Sequence, residues 1–270
     1  MIYDDPDRIA KKMLLIFSKL IKQFFEMLSP QICFYCGKTL ITETYEAENF
    51  YAERFHICRS CLASLPFRVP AEQLLPDMHE NQTSFFTYCP FHYEGQMISI
   101  LRKLKFNDGI FLAPAIGFFM GKLAEAYDLK PDLILPVPLS EKRYRERGYN
   151  QAFLLAREIG EVLNVPVVSD CLLRVKDTKR QADISEPINR KLNVEKAFCI
   201  SDSWDIHRLS ILLVDDILTT GATIFSASDI LSENGALKVV GITAASGRTG
   251  EATGIINSPD ASGAHVFEPS

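Results

Sequence analysis

The sequence predicts an α/β domain built on a mainly parallel sheet, preceded by a small cysteine-rich module. From about residue 130 onward, short apolar runs alternate with segments of helical periodicity, which is the order of strands joined by crossover helices. The runs are uniformly apolar, so helices should cover both faces of the sheet. Two Cys-x-x-Cys pairs near the N-terminus predict the module.

The composition is that of an ordinary globular protein. Hydrophobic residues make up 47% of the 270-residue chain and charged residues 23%, which excludes wholesale disorder. The net charge of −5 disfavours a protein held on nucleic acid by bulk positive charge and leaves a local basic patch as the alternative. No stretch reaches the roughly 18 uncharged apolar residues of a membrane span. No secretory signal is recognisable, so we expect a cytoplasmic protein.

Residues 1–29 predict an amphipathic helix. Apolar residues recur at three- and four-residue steps from Ile9 to Leu28, and Ser29-Pro30 ends the pattern. The helix either packs on its own domain, which is the simpler interpretation, or lies on a membrane surface.

Four cysteines form two matched pairs, Cys33/Cys36 and Cys58/Cys61. Four thiolates on two tight turns can surround one tetrahedral zinc ion, and a closed shell of this kind indicates a structural site. A redox Cys-x-x-Cys is the alternative, but it requires one pair at a helix N-terminus rather than two matched pairs. The sequence therefore predicts a zinc-binding module with four cysteine ligands.

Composition suggests the boundaries of the domains. Residues 30–66 form the cysteine module, and the proline-containing segment 67–82 is predicted to be a linker. Residues 83–246 form the α/β domain, in which the polar segment 174–197 is predicted to be a flexible loop. Residues 247–270, rich in small residues and without periodicity, are predicted to be a mostly disordered tail.

Within the α/β domain, the elements are predicted from periodicity in chain order. They are a strand within 83–93, helices over 97–106 and 110–127, a strand over 133–135, a basic loop, a helix over 149–163, a strand over 165–168, a strand over 211–214, a helix ending near 233, and a strand over 237–243.

The segment from Ile211 to Thr223 combines a buried strand, two acids and a hydroxylated turn. Asp215 and Asp216 follow the strand at its carboxyl end, where open α/β sheets bind ligands. The turn that opens the next helix offers hydroxyls, backbone N–H groups and the positive end of a helix dipole to a phosphate. Carboxylates suit sugar hydroxyls and hydrated magnesium. The alternative is a plain strand end with two solvated acids and a Thr/Gly helix cap.

A second cluster of polar residues follows the strand over 133–135. Four basic side chains lie within residues 142–147, in an otherwise acidic chain. Arginine forks fit phosphate oxygens in bidentate fashion. At the carboxyl end of a neighbouring strand these bases would face the acidic segment, unless they only decorate a solvated helix start.

The segment 211–223 resembles the 5-phosphoribosyl-1-pyrophosphate motif of type I phosphoribosyltransferases. Four hydrophobic residues, two acids, two apolar residues and Thr-Thr-Gly-Ala-Thr stand in the motif's order. No Gly-x4-Gly-Lys-Ser/Thr loop and no G-x-G-x-x-G after a strand occurs, which disfavours P-loop NTPases and NAD-binding domains.

Further motifs stand in a recognisable order: the two cysteine pairs, Ile98-x2-Leu101-x2-Leu104-Lys105-Phe106, Pro136-Val137-Pro138-Leu139, Arg147-Gly148-Tyr149-Asn150-Gln151, the loop residues Gln181, Arg190 and Asn193, and the segment 211–223. Together, over about residues 30 to 245, they resemble the ComF family, competence-associated proteins related to phosphoribosyltransferases.

The resemblance implies a type I phosphoribosyltransferase fold with a site for phosphoribosyl pyrophosphate and magnesium. It implies that Asp215 and Asp216 are the catalytic carboxylates and hold the ribose hydroxyls. The remaining roles it implies are a 5′-phosphate cradle of Thr219, Thr220, Gly221, Ala222 and Thr223; a pyrophosphate loop containing Pro138, Leu139, Arg143 and Arg147; and a flexible loop containing Gln181, Arg190 and Asn193.

Two functions follow from the resemblance. As an enzyme, the protein would transfer phosphoribosyl to an unidentified acceptor, with structural zinc and with magnesium. As a non-catalytic accessory protein of DNA uptake, it would sense the nucleotide and bind single-stranded DNA or a competence helicase. Release of pyrophosphate distinguishes the two.

Overall fold

The structure, a computed structural model, describes residues 32–40, 55–68, 71–75, 85–175 and 197–248. Three predictions lie outside the described residues. They are the helix over 1–29, the greater part of the flexible loop with Gln181, Arg190 and Asn193, and the tail from residue 249 onward.

Helices and strands alternate along most of the described chain. The helices are α1 (Arg59–Ala63), α2 (Gly95–Lys103), a 3-10 helix (Asn107–Leu112), α3 (Ala113–Ala126), α4 (Glu141–Arg147), α5 (Gln151–Leu163) and α6 (Ala222–Glu233). The strands are β1 (Glu72–Leu75), β2 (Phe85–Tyr88), β3 (Phe91–His92), β4 (Leu133–Pro136), β5 (Leu172–Arg174), β6 (Phe198–Ile200), β7 (Ser210–Leu218) and β8 (Lys238–Ser246).

The main sheet has the order β1-β2-β8-β7-β4, and β3 also pairs with β8. Every pair is parallel except β1 with β2. Leu212 and Val214 of β7 face the core beneath α3 and α5, while Ile211 and Leu213 face the core beneath α6. Both faces are therefore covered, as the uniformly apolar strand predicts, and the predicted α/β class is confirmed.

Helices α3 and α5 pack with their backbones close together. A Cβ atom on Gly117 would lie 2.5 Å from Glu158 Cβ, and one on Gly121 would lie 2.7 Å from Val162 Cβ. Among the described residues, Gly109–Ala126 is the one helical segment long and apolar enough by composition to cross a membrane. Just over half of it is buried inside the domain, and its contact with α5 accounts for that apolar character.

Three local predictions are wrong. Glu72–Leu75, placed in a linker by the sequence, is an edge strand that pairs with β2 in antiparallel fashion. The strand predicted over 165–168 is reduced to a single bridge between Val167 and Ile134, because Pro166 has no N–H to donate to a ladder. The predicted basic loop is the helix α4, which begins where Ser140 Oγ accepts the backbone N–H of Arg143 at 3.4 Å.

The cysteine module and the α/β domain share one core. Ile57 and Leu65 belong to the same buried cluster as Met97 of α2. The ring of Phe55 lies 4.7 Å from that of Phe118 on α3. The predicted boundary near residue 66 therefore does not separate two cores.

Candidate functional site

The turn from Thr219 to Thr223 lies at the carboxyl end of β7 and begins α6. Gly221 caps α6 with φ of 88°, in the left-handed region that glycine adopts without a steric penalty. Residues 217–224, Asp215 and Thr243 of β8 line one small hollow. The N-terminus of a twelve-residue helix and three threonines of the turn therefore border a concave site, an arrangement that is able to hold a phosphate.

The two acids point to opposite faces of the sheet. The sequence places both in one loop after residue 214, but β7 continues to Leu218 and stays paired with β8. Successive side chains of a strand alternate between faces. Asp215 consequently lines the hollow on the α6 side, whereas Asp216 is buried on the α5 side.

Asp216 is held by two partners. Gln151 Nε2 donates to Asp216 Oδ2 at 3.2 Å, and Lys105 Nζ lies 3.1 Å from the same oxygen. The side chain of Asp216 is 8% exposed and that of Lys105 is 27% exposed. This group of three residues is a buried polar centre next to the turn Thr219–Thr223.

The charge on Asp215 depends on its surroundings. Burial raises the pKa of Asp215 to about 7, and the like charge of Asp216 adds to the effect. The backbone N–H of Asp216 donates to Asp215 Oδ1 at 2.8 Å, and this hydrogen bond lowers the pKa of Asp215 and so offsets part of the rise. Near neutral pH, Asp215 therefore exchanges a proton readily, and a ligand that needs its carboxylate will bind with release of a proton.

The turn that carries Lys105 is fixed from α5. The Tyr149 hydroxyl lies 2.7 Å from the carbonyl oxygen of Leu104 and also contacts that of Phe106. Asn150 caps α5 by accepting the N–H of Ala152 at 3.0 Å. These contacts place Lys105 over the carboxyl end of β7.

Helix α4 separates its basic side chains onto two faces. Lys142 pairs with Glu146 at 4.0 Å, and Arg145 pairs with Glu141 at 3.3 Å. The two remaining bases, Arg143 and Arg147, are four residues apart and share the other face.

These two arginines retain donors that are not used within the described protein. Arg143 is exposed, and Nη1 of the half-buried Arg147 has no hydrogen-bond partner among the described residues. Neither arginine bonds to the turn 219–223 in the part of the chain that the structure describes. Pro138 and Leu139 are half-buried in the connection from β4 to α4. Because β4 and β7 are adjacent and parallel, α4 and the turn Thr219–Thr223 both lie at the carboxyl edge of the sheet.

Three residues of the site were not assigned to it from the sequence. Lys105 and Gln151 stand in family motifs, but no local signal shows that both meet Asp216. Arg248 was assigned to the tail, yet its Nη1 donates to the Thr220 carbonyl at 2.9 Å. Arg68 Nη1 in turn donates to the Arg248 carbonyl at 3.0 Å. These contacts join segments distant in sequence, so periodicity cannot predict them.

The four module cysteines lie together, as predicted. Their Sγ atoms are all within 4.8 Å of one another, and those of Cys36 and Cys58 are 3.9 Å apart. A zinc ion with Zn–S bonds of about 2.3 Å requires sulfur separations of roughly 3.8 Å. The backbone N–H of Cys58 donates to Cys33 Sγ at 3.3 Å. Burial and the neighbouring thiols raise the pKa of Cys61, so its thiol resists ionisation. A bound cation would stabilise the thiolate and remove that resistance. The cluster fits a zinc ion.

Comparison with family models finds no match, but sequence relatives exist. The chain is 31% identical over 150 residues to Competence protein F of Haemophilus influenzae, covering 53% of this chain and 65% of that protein. It is 27% identical over 223 residues to DNA utilization protein YhgH of Salmonella typhimurium, covering 78% and 94%. It is 30% identical over 150 residues to Competence protein ComFC of Bacillus subtilis, covering 54% and 57%. The chain thus spans just under two thirds of the first relative and nearly all of the second.

Similar solved structures include an amidotransferase and a phosphoribosyltransferase. Glutamine phosphoribosylpyrophosphate amidotransferase from B. subtilis is 16% identical with a TM-score of 0.38, over 64% of this chain and 36% of that one. Purine phosphoribosyltransferase from Pyrococcus horikoshii is 14% identical with a TM-score of 0.32, over 50% and 72%. In its sequence relatives, its ordered motifs and its four-cysteine cluster, the chain is similar to the competence proteins of the ComF family.

Proposed function

We propose that this protein binds phosphoribosyl pyrophosphate with magnesium and transfers the phosphoribosyl group to an acceptor in the cytoplasm. The observation that carries the proposal is the single hollow lined by Asp215 and the turn Thr219–Thr223. A carboxylate for sugar hydroxyls and a helix N-terminus for a phosphate lie there side by side. A 5-phosphorylated ribose presents these two groups together.

Different residues around the hollow bind different parts of the ligand. The turn Thr219–Thr223 holds the 5′-phosphate through backbone N–H groups and hydroxyls, and Asp215 accepts from the ribose hydroxyls. The face of α4 that carries Arg143 and Arg147 binds the diphosphate, because guanidinium N–H groups of these arginines have no acceptor among the described residues. The carboxylate of Asp215 and phosphate oxygens of the ligand would hold magnesium, which would supply positive charge to the leaving diphosphate. An oxocarbenium-like transition state is stabilised by the nearby carboxylate, and no protein nucleophile is required.

Calorimetry of phosphoribosyl pyrophosphate with magnesium tests the ligand. Asp215→Asn removes a charged acceptor worth about 1.5–3 kcal/mol per hydrogen bond, so affinity should fall by roughly tenfold or more. The control is Asp202→Asn, at an exposed position away from the hollow, which should bind like the wild type. Equal affinity in Asp215→Asn and the wild type would remove the ribose assignment.

A second function, nucleotide sensing within DNA uptake, is supported by the names of the relatives, competence and DNA utilization proteins. Phe106, Phe111 and Tyr144 are more than half exposed, and Phe106 directly follows Lys105 of the site. Exposed aromatic rings beside basic residues suit the stacking of single-stranded DNA bases, or contact with a competence helicase. Binding without release of pyrophosphate, measured with candidate acceptors, would favour sensing over transfer.

We assign zinc to the four cysteines of the module as a structural ion. All four positions of a tetrahedral shell are filled by protein thiolates, so no position stays open for a reactant. A reducing cytoplasm keeps these thiols free of disulfides.

A further inference from the structure

Asp216 is a buried carboxylate whose charge needs compensation. Its side chain is 8% exposed, and an isolated charge at that depth is strongly unfavourable. Lys105 Nζ, 3.1 Å away, provides the opposite charge. Lys105 itself is 27% exposed, so its ammonium lies between the buried carboxylate and the open side of the site.

Gln151 is the second partner of the Asp216 carboxylate. Its Nε2 donates to Asp216 at 3.2 Å, while its Oε1 is buried and has no hydrogen-bond partner among the described residues. Gln151 is 3% exposed, and a buried acceptor without a donor is costly. An incoming hydroxyl or hydrated cation would satisfy this acceptor, which marks the centre as one side of a ligand site.

Resting on the function proposed above, we propose that Lys105 is a built-in counter-ion that keeps divalent cations off Asp216 until an anionic ligand draws its ammonium away. A carboxylate at the end of a strand, beside the unpaired Oε1 of Gln151, would otherwise offer oxygen ligands to a divalent cation. In the free protein, the Lys105 ammonium is paired with Asp216 Oδ2. A lysine has a flexible four-carbon stem, so its charge can move from the carboxylate to a diphosphate oxygen. Metal and ligand then enter together, and the metal does not enter first.

The test is a titration of the full-length protein with Mn²⁺ alone, followed by electron paramagnetic resonance. Lys105→Met leaves Asp216 without its counter-ion, so Mn²⁺ should bind on the order of tenfold more tightly than to the wild type. Lys103→Met is the matched control, because Lys103 is an exposed lysine at the end of α2. It should bind Mn²⁺ like the wild type.

Two further variants complete the test. Lys105→Arg keeps the positive charge and should retain weak binding of Mn²⁺. Combining Lys105→Met with Asp216→Asn should remove the gain. Affinity of Lys105→Met within twofold of the wild type, in protein shown to be folded by circular dichroism, overturns the proposal. Because the probe is Mn²⁺ without any sugar phosphate, a failure of phosphoribosyl pyrophosphate to bind is a separate result that counts only against the proposed function.

Discussion

Asp215 and Asp216 are neighbours in sequence, yet they have different surroundings. Asp215 lines the hollow at the turn Thr219–Thr223, and Asp216 is paired with Lys105 and Gln151 on the opposite face of β7. The difference arises from strand geometry, since β7 continues past both acids and alternates their side chains. A substitution at one acid should therefore not reproduce a substitution at the other.

The raised pKa of Asp215 predicts how stability changes with pH. The folded state holds a proton on Asp215 up to about pH 7, whereas the ordinary value is near 3.8. Between these two values the folded state binds more protons, so stability falls as pH rises and then levels off above pH 7. Asp215→Asn has no such proton. The free energy of unfolding of this variant relative to the wild type should therefore increase from pH 5.5 to pH 8.

Urea unfolding at several pH values, with zinc present throughout, measures that difference. Taking the difference between the two proteins removes the contribution of the zinc thiolates, which both share. Asp202→Asn, at an exposed position, should show a difference that does not change with pH. A flat profile for Asp215→Asn as well would show that Asp215 titrates normally.

At the residue scale, the sequence predicted the groups that a local motif contains. The hydroxylated turn follows β7 and the four cysteines lie together, as their spacing predicts. The two acids lie within β7 and not in the loop that the sequence predicts after residue 214. Lys105 and Arg248 were not assigned, because their contacts with Asp216 and Thr220 join segments that are distant along the chain. Spacing along one segment carries no information about such contacts.

At the element scale, the contact between α3 and α5 depends on small residues. A Cβ atom on Gly121 would lie 2.7 Å from Val162 Cβ, closer than two carbons pack. Gly121→Ala should destabilise the domain by about 1–3 kcal/mol, more than the roughly 1 kcal/mol that alanine gains in helix propensity.

A double-mutant cycle isolates the cause. Val162→Ala keeps Cβ but removes the two Cγ atoms, which the new methyl group would meet at 2.9 and 3.0 Å, so adding it to Gly121→Ala should recover part of the loss. An interaction free energy of about 1 kcal/mol or more, from urea unfolding of the four proteins, is expected for residues in direct contact. Simple additivity would show that α3 and α5 adjust without strain.

Helix α4 offers a comparison between two arginines of one helix. Arg145 is paired with Glu141, while Arg143 lies on the face without an intrahelical ion pair. Arg143→Gln should therefore weaken binding of phosphoribosyl pyrophosphate by several-fold, and Arg145→Gln should change it little. The difference in affinity between the two variants should shrink as salt rises, because exposed charges are screened. Calorimetry at two salt concentrations measures both affinities. Equal losses of affinity in the two variants would contradict the assignment of faces.

Element types were predictable where periodicity was long, and boundaries were not. The helices α3, α5 and α6 and the strands β4 and β8 occur where the sequence predicts them. The strand β7 is longer than predicted, because pairing with β8 extends through two acids that sequence patterns read as the start of a loop. Strand β1 has no predictive pattern of its own, since it is defined by its partner β2.

At the scale of the whole molecule, the division into module and domain is the prediction that the structure changes most. Two short cysteine pairs read as a self-contained unit whose loss would leave the α/β domain folded. The apolar residues between and after those pairs pack instead into the core beneath α3. Backbone hydrogen bonds strengthen the connection: the N–H of His92 donates to the Pro66 carbonyl, and that of Arg68 to the Pro90 carbonyl, each at 2.8 Å.

Loss of zinc should therefore destabilise the α/β domain as well as the module. Cys58→Ser removes one of four ligands, and metal analysis should find one zinc per chain in the wild type and little in the variant. Without the ion, the segment around Phe55 is no longer anchored against Phe118. The melting temperature should fall by about 5 °C or more, since 1 kcal/mol corresponds to roughly 2–4 °C for a protein of this size. Trp204, the one tryptophan of the chain, is half-buried and packs against the core on the other face of the sheet, so its fluorescence reports the α/β domain alone. The exposed Cys199 supplies the control, Cys199→Ser, which should melt like the wild type.

The two outcomes differ in the unfolding transition of Trp204. If this transition keeps its temperature while zinc is lost, the two parts fold independently, as the sequence alone suggests. If its temperature falls when zinc is lost, the two parts share one core.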